Sequence, residues 1–360
     1  GGFSLTLLGI DGRAGLAPIN PSLYGSFLDD LDKSDILSRV AQNGSLQGHS
    51  QIALHWLGFS VKNFGLNLYS QARAEGDLPP SMVELLLYGN VGRDGNLHTT
   101  HFAGTHARGI ASTTVSVGYG RRIPLPLPGR FAAGVTGHYS LIHGLADARD
   151  VGSRLVNEPT EVALDADAVV AMMGHAYHLD AGASWDLGRI RAGLVARNLI
   201  YGSAIEHGST RVYRLHGTLV PGDVNSMTVD TIKFEQLSQT DRETVEDRLS
   251  WKDRDRNPLV AAGIAADIGP LTLTGEAHYN ASDGRLERSG FAFGVELKPL
   301  LPIFRVRAGA KLANDKVQLG TGMSLRLGRL SLDAGVMHQK EPVYDWRGAA
   351  QLSILPKKLP

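Results

Sequence analysis

Cysteine is absent from all 360 residues of this chain. Its absence excludes disulfide bonds, thiolate metal sites and cysteine nucleophiles, and it is compatible with an oxidising envelope compartment. The sequence also lacks any run of about eighteen apolar residues, which is the signal of a transmembrane helix. Lysine plus arginine number 36 and aspartate plus glutamate also number 36. A net charge of zero gives no indication of the excess positive charge that binds nucleic acids.

Motifs of known chemistry are missing as well. The chain has no Gly-x-Ser-x-Gly elbow, no phosphate-binding loop and no His-Glu-x-x-His helix. Among the 13 histidines, we interpret His98, His101 and His106 as solvated. His178 and Asp180 share one face of a strand, where the carboxylate could orient the imidazole, but a solvated pair is the interpretation we prefer. We therefore predict a protein that is not an enzyme, with no catalytic residue, no cofactor and no metal site.

The dominant pattern that is present has a period of two. Between Leu259 and Leu355 apolar residues recur at every second position, and polar residues or glycines lie between them. Side chains on a strand alternate between its two faces, so each strand has one apolar and one polar face. The apolar rows include Phe291, Phe293, Val295, Leu297, Val306, Val317, Leu319 and Leu332. The breaks between strands are short, which indicates a meander of antiparallel hairpins.

Two closed architectures accommodate such a meander. A soluble β-protein would bury the apolar face, whereas a transmembrane barrel would turn it to lipid and line its lumen with the polar one. The strands are longer than those of soluble proteins and match a tilted membrane-spanning strand. Full charges on the polar face suit a wet lumen. We therefore predict an all-β fold: one closed antiparallel transmembrane barrel over residues 1–360, with about sixteen strands. This count includes the segments Arg211 to Leu219 and Thr228 to Leu237 as wall strands. Fourteen strands remain possible if an end strand lies outside the barrel.

One long element, Glu161 to Asp186, contains a change of parity near Gly174. Its apolar residues are even-numbered before this glycine and odd-numbered after it. A β-bulge would restore the faces, and a tight hairpin is the alternative. With the bulge, both termini and all tight turns lie at one end of the barrel. The long loops then lie at the other end: Leu16 to Gly44, Asp77 to Thr100, Asp147 to Pro159, Gly202 to Thr210 and Ser238 to Asn257.

Three loop segments, residues 32–41, 79–89 and 238–249, are predicted to be helical from their capping residues, prolines and glycines. The second is apolar nearly all round, so it must be sequestered. It either packs against the wall or mouth of the barrel, or it plugs the lumen. In the second case Met82, Leu85, Leu86 and Tyr88 are the candidate gate residues.

Several runs in the chain resemble a known group of proteins. They are Asp32-Lys-Ser-Asp-Ile-Leu-Ser-Arg39, Leu78-Pro-Pro-Ser-Met-Val-Glu-Leu-Leu-Leu-Tyr-Gly-Asn90, Leu179-Asp-Ala-Gly-Ala-Ser-Trp-Asp-Leu-Gly188 and Gly193-Leu-Val-Ala-Arg-Asn-Leu199. Together they look like an uncharacterised family of bacterial outer-membrane barrels that is similar to the PorV-type and FadL-type barrels. The resemblance implies a bacterial outer-membrane location, and leaves the cargo open. Because the chain begins directly with strand-like residues, we expect it to be a mature or trimmed form.

Two functions fit these features. The first is a channel or transporter for small molecules, hydrophobic or zwitterionic rather than strongly charged, because the predicted lumen carries both signs of charge. The candidate lumen residues are Arg305, Arg307, Lys311, Arg326, Glu276, Glu296 and Asp333. The alternative is a structural barrel that binds a protein partner of the envelope or of a secretion assembly. In either case the surroundings are outer-membrane lipid and lipopolysaccharide, with no nucleic acid. An outer-membrane hydrolase is a third class, but it needs a Ser/His/Asp set that the sequence does not supply.

Overall fold

The computed structural model describes residues 3–17, 28–157, 160–220, 227–249, 258–280, 290–298, 303–313, 316–339 and 344–354. Their strands are β1 Phe3–Ala17, β2 Leu46–Val61, β3 Phe64–Leu78, β4 Thr100–His101, β5 His106–Ile123, β6 Arg130–Asp150, β7 Arg154–Asn157, β8 Thr160–Ala171, β9 Gly174–Asp186, β10 Ile190–Ile205, β11 Arg211–Leu219, β12 Met227–Lys233, β13 Leu259–Ile268, β14 Leu271–Asn280, β15 Gly290–Leu297, β16 Phe304–Ala313, β17 Lys316–Leu327, β18 Leu330–Gln339 and β19 Tyr344–Ile354. The α-helices are α1 Asp30–Asn43, α2 Pro80–Tyr88 and α3 Gln239–Leu249.

The wall of the molecule is a closed antiparallel ring. Strand β1 pairs with β2 on one side and with β19 on the other, where Leu5 lies opposite Ile354. From β2 the ring continues through β3, β5, β6, β9 and β10, and then through β13 to β19. The predicted closed barrel is confirmed, and in the described residues it has fourteen wall strands among the nineteen of the sheet.

The difference from sixteen has a specific cause. Strands β11 and β12 were counted in the wall, but β10 pairs directly with β13. Instead, β11 pairs with β12 on one side and with β8 on the other, beyond the wall. The alternative count of fourteen is therefore the observed one, but for another reason: the strands outside the ring come from the middle of the chain, while β1 and β19 both lie in the wall.

The parity change near Gly174 is real, and the hairpin alternative is wrong. Strands β8 and β9 both run antiparallel to β6, one after the other along it, with Ala171 opposite Leu145 and Gly174 opposite Ile142. The interruption lies at residues 172–173. It faces a matching defect in β6, whose register with β5 shifts by one residue at the same level. In β6 and in the β8–β9 run alike, odd-numbered and even-numbered residues therefore exchange faces at this level.

The connections that carry helices lie at one end of the ring, as predicted. The prediction that all tight turns lie at the other end is wrong, because only two residues separate Ala313 of β16 from Lys316 of β17 at the helix-bearing end. Residues 62–63, 269–270 and 328–329 make tight turns at the end where β1 begins and β19 finishes. At the opposite end lie α1, α2, α3 and the strands outside the ring. Within the described residues, no helix is both long enough and apolar enough to cross a membrane.

Local sequence explains where the first two helices begin and end. The Asp29 carboxylate accepts a hydrogen bond from the Asp32 backbone N–H at 2.8 Å, and α1 is capped after Asn43 by Gly44, whose φ of 85° suits glycine. Helix α2 begins with Pro80, whose missing N–H costs nothing at that position, and it is capped after Tyr88 by Gly89. These caps set the bounds of both helices, which pack beside Leu46 and Leu78 at the open end of the β2–β3 pair.

Candidate functional site

The barrel wall has one apolar and one charged face. The apolar face carries Phe291, Phe293, Val295, Leu297, Val306, Val317, Leu319 and Leu332. All eight side chains are exposed, from 37% for Val295 to 66% for Phe293. Large exposed apolar rows of this kind are not tolerated in water and mark a surface that contacts lipid or protein.

Ion pairs occupy the opposite face. Glu296 lies between two arginines, with Arg307 Nε at 2.7 Å and Arg305 Nη1 at 3.3 Å from its carboxylate oxygens. Arg307 also approaches Asp333, with 3.7 Å between Nη1 and Oδ1. Ser331 donates a hydrogen bond to Asp333 at 2.9 Å. The structure thus brings four of the seven predicted lumen residues into one network on β15, β16 and β18.

The other three predicted lumen residues lie on this same face but outside that network. Lys311 and Glu276 both pair with Ala292 of β15, from opposite sides, so one alanine separates the two charges across the sheet. Arg326 lies opposite Ser331. The charged face therefore extends over the whole run from β14 to β18.

A further acidic centre on this face was not identified from the sequence. The buried carboxylate of Asp345 is 2.7 Å from Arg13 Nη2, 3.5 Å from Arg347 Nη2 and 3.7 Å from His49 Nε2. Its partners come from β1, β2 and β19, so only closure of the ring assembles the centre. The sequence contains the charges but not the register that joins them.

Small residues widen the inner space beside Glu276. A pocket of about 410 Å³ lies along β10, β13, β14 and β15, and its lining includes Arg191, Thr274 and Glu276 together with several glycines. Gly193 of β10 and Gly263 of β13 face each other there. Because neither has a side chain, the wall recedes at this level.

Helix α3 closes over the strands beyond the ring. Its Val245 and Leu249 are buried in an apolar cluster with residues of β6, β8 and β11, among them Leu145, Val169 and Val212. This cluster was not predicted, because the sequence pattern placed β11 in the wall.

A buried ion pair anchors α3 beside that cluster. Arg248 Nε lies 2.8 Å from Asp147 Oδ1, and Arg248 Nη1 lies 2.9 Å from Asp167 Oδ1. His106 and Arg149 also bond Asp147, at 2.9 Å each.

Asp147 lies on the part of β6 that extends beyond the wall, because β6 pairs with β9 only as far as Ile142. Burial would raise its pKa, but the bonds from His106, Arg149 and Arg248 outweigh burial and hold the pKa below its ordinary value of 3.8.

Helices α1 and α2 form a second apolar cluster at the same end of the ring. Val83 of α2 is 2% exposed and packs in one cluster with Ile36, Leu37 and Val40 of α1. Val83 is thus the main buried contact of α2. The sequence predicted both helices but not that they pack against each other, so the role of Val83 was missed.

The four candidate gate residues surround that centre on α2. Leu86 is 68% exposed, and Met82 and Leu85 are half-buried. Tyr88 is half-buried, and the Lys33 ammonium lies 5.5 Å from the centre of its ring. Leu86 is therefore the apolar gate candidate most accessible from outside.

Metal-ligating side chains meet at one further place on the charged face. His138, His178 and Asp180 each offer a ligand atom, and the three atoms lie within 4.8 Å of one another. His178 and Asp180 were noticed in the sequence, but His138 was not, because it comes from the neighbouring strand.

No protein-family model matches this sequence, and no curated protein sequence matches it. Solved structures do match its fold. The TodX monoaromatic hydrocarbon channel in a deltaS2S3 mutant form has a TM-score of 0.50 at 8% identity, over 99% of this chain and 91% of that chain. Its deltaS2 mutant has a TM-score of 0.50 at 7% identity, over 100% and 91%. A Pseudomonas aeruginosa FadL homologue has a TM-score of 0.45 at 10% identity, over 99% and 90%.

Identities this low concern the fold alone. The FadL-type part of the sequence resemblance is confirmed at that level, while the PorV-type part stays a prediction. This chain therefore has a FadL-like barrel fold, which it shares with the TodX channel.

Proposed function

We propose that this chain is an outer-membrane channel that admits small hydrophobic molecules. The observation that carries the proposal is the closed fourteen-stranded ring with an exposed apolar face and an ion-paired face. In a membrane a closed barrel satisfies every backbone group between strands, so it can span without a free edge. The apolar face then contacts lipid and the charged face lines the lumen.

Charge pairing supports a neutral cargo. Glu296 is shared by Arg305 and Arg307, and Asp345 is surrounded by Arg13, His49 and Arg347. Arg307 also approaches Asp333, so these clusters hold four arginines against three carboxylates. The net charge of the wall is therefore small compared with the number of charges, and it would hold an ionic cargo only weakly. The structures of similar fold are described as channels for monoaromatic hydrocarbons, which is a cargo class of this kind.

Entry would begin at the end of the ring that carries the helices. There Leu86 presents an exposed apolar side chain beside Met82, Leu85 and Tyr88 on α2. A small apolar molecule that leaves water gains about 25 cal/mol for each Å² that it buries. This surface is therefore a suitable first contact for the cargo.

Uptake into vesicles with a lipopolysaccharide outer leaflet tests the channel. A plain bilayer is already permeable to small apolar molecules, so this leaflet must form the barrier. Radiolabelled toluene is the probe and labelled benzoate is the charged comparison. We expect the protein to accelerate toluene entry over protein-free vesicles, with much less effect on benzoate. Equal toluene entry with and without correctly folded protein would contradict the proposal.

A matched pair of variants tests the entry surface. Leu86→Ser removes an apolar contact on α2, and Leu31→Ser removes one on α1, where Leu31 is 81% exposed. We expect the first to slow toluene entry and the second to leave it unchanged. Equal effects of the two substitutions would show that α2 is not the entry surface.

One observation favours the second candidate function, a barrel that binds an envelope protein. Leu31 and Leu86 are both exposed on the helices above the ring, and exposed apolar side chains on helices suit a partner surface. Co-purification from native membranes, compared between the wild type and a Leu31→Ser, Leu86→Ser double variant, separates the two functions. A partner lost from the double variant, together with unchanged toluene entry, would favour the docking role.

A further inference from the structure

We propose that His138, His178 and Asp180 form a binding site for a divalent first-row transition metal ion such as Zn²⁺ on the inner face of the barrel wall. The site belongs to two neighbouring wall strands, β6 and β9. His138 lies directly opposite His178 in their register, and Asp180 follows two positions later on the same face of β9. The three side chains therefore converge from strands whose relative position the wall fixes.

The donor atoms have the identity and spacing that such an ion requires. Imidazole nitrogens with a carboxylate oxygen are ligands that suit zinc, nickel and copper. With bonds of about 2.05 Å, the ligand atoms of a tetrahedral site lie about 3.3 Å apart. His138 Nε2 and Asp180 Oδ2 are already 3.3 Å apart. The His138 and His178 rings stack with centroids 4.0 Å apart, so a small shift of His178 completes the set.

Outer contacts orient two of the three ligands. Ser116 Oγ lies 2.8 Å from His138 Nδ1, which leaves Nε2 directed towards Asp180. The Asn198 backbone N–H donates to Asp180 Oδ1 at 3.0 Å, which leaves Oδ2 for the ion. Asn198 has a φ of 54° at a register defect of β10, and asparagine tolerates this conformation well. Hydrogen bonds of this kind to the outer atoms of ligands are a regular feature of metal sites.

A second observation points to a ligand at this position. Among the described residues, His138 Nε2 is one of the few buried side-chain nitrogens that make no well-directed hydrogen bond. Asp180 Oδ2 is close to it but poorly aligned. A buried nitrogen that makes no well-directed hydrogen bond is poorly satisfied, and a bound ion would satisfy it. Three protein ligands leave a fourth position for water or for a donor atom of a passing molecule.

Cobalt(II) is the probe for the test, because its visible absorption reports a nitrogen and oxygen site of low symmetry. The full chain, folded in detergent, is titrated with Co²⁺, and Zn²⁺ is then added as competitor. We expect one Co²⁺ per chain, displaced by Zn²⁺. Binding is lost in His138→Asn and in Asp180→Asn, which keeps the shape of the side chain. Ser116→Ala should weaken binding about 10–100-fold.

His175→Asn is the matched control, because His175 also lies on β9 but packs against Tyr139, with ring centroids 6.2 Å apart. It should bind Co²⁺ like the wild type. The heat-dependent shift in gel mobility of each variant reports whether the barrel has folded. An absence of Co²⁺ binding in the folded wild type, or binding that survives the His138 and Asp180 substitutions, would overturn the proposal and leave a histidine–carboxylate ion pair.

Discussion

At the scale of single residues, the most constrained charges lie outside the ring. Asp147 is only 1% exposed, yet it receives hydrogen bonds from His106, Arg149 and Arg248. A buried carboxylate is tolerated only when it is paired and bonded in this way. The contact between Arg248 and Asp147 spans 101 positions in the sequence, so no local sequence pattern predicts it.

Replacing Arg248 with methionine should release α3. The substitution keeps much of the apolar stem but leaves Asp147 buried with fewer partners, so we expect the docking of α3 to weaken by about 3 kcal/mol. Hydrogen exchange of the backbone amides from 239 to 249 measures this opening. Glu243→Met on the exposed side of the same helix is the control and should change little. Unchanged exchange in Arg248→Met would show that the apolar cluster alone holds the helix.

The pH dependence of this docking follows from the lowered pKa of Asp147. A carboxyl group whose folded pKa lies below its unfolded value stabilises the fold fully above the unfolded value, here 3.8. That contribution is lost as the pH falls through the lower folded value. We therefore expect pepsin cleavage within α3 to increase only well below pH 3.8. The Asp147→Asn variant should lack this step, and a step at the same pH in both proteins would refute the assignment to Asp147.

At the scale of elements, sequence patterning is most informative where a strand has one apolar and one polar face. The alternation from Phe291 to Leu332 was enough to predict these strands and the shared face of their apolar residues. It failed for β11 and β12, because the alternation of a strand that packs under α3 resembles that of a strand facing lipid. Periodicity reports that one face is apolar, and it does not report what covers that face.

The residues of the proposed metal site show the same limit: periodicity predicts which residues share a face of one strand, but not which strands are neighbours. His178 and Asp180 lie two positions apart on one strand, so their shared face could be read from the sequence. His138, Ser116 and Asn198 come from three other strands, and their arrival depends on register and on the defect in β10. Register between distant strands has no signal in a single sequence.

The two helices above the β2–β3 hairpin depend on Val83. Val83→Ala removes two buried methyl groups from the contact with α1, so we expect this contact to lose about 2 kcal/mol. Hydrogen exchange of α2, compared with that of the wall strands, measures the loss. Leu86→Ala on the exposed side of α2 is the control and should have little effect. An equal effect of both substitutions would mean that α2 is buried on the other side as well.

At the scale of the whole molecule, an added charge should be costly on the apolar face of the wall and well tolerated on the charged face. Val295→Arg would place a cation in hydrocarbon, which costs about 2–4 kcal/mol near the middle of a bilayer. We expect a matching loss in the folding free energy measured in lipid vesicles. Thr274→Arg on neighbouring β14 introduces the same side chain on the charged face, two positions from Glu276, and should cost much less. If the two substitutions cost the same, the assignment of the faces is wrong.

The balance of charge in the lumen should set the ion preference of the pore. Replacing Arg305 and Arg307 with glutamine leaves Glu296 and Asp333 without their paired cations. We expect the reversal potential in planar bilayers to shift towards cation selectivity. Arg39→Gln on α1 is the control, since its partner Asp35 lies on the same helix. An unchanged reversal potential in a conducting pore would place these arginines away from the ion path.

Ring closure has a consequence for how the molecule is made. Leu5 and Ile354 are neighbours in space although almost the whole chain separates them, so the pairing that seals the wall closes the longest loop the chain can form. Closing a long loop is entropically unfavourable until many other contacts hold its ends near each other. Until that moment β1 and β19 present unpaired backbone groups, which any other strand could use as a template. Assembly of the wall therefore ends with its most vulnerable step, and a cell that makes this protein must shield both edges until the last strand arrives.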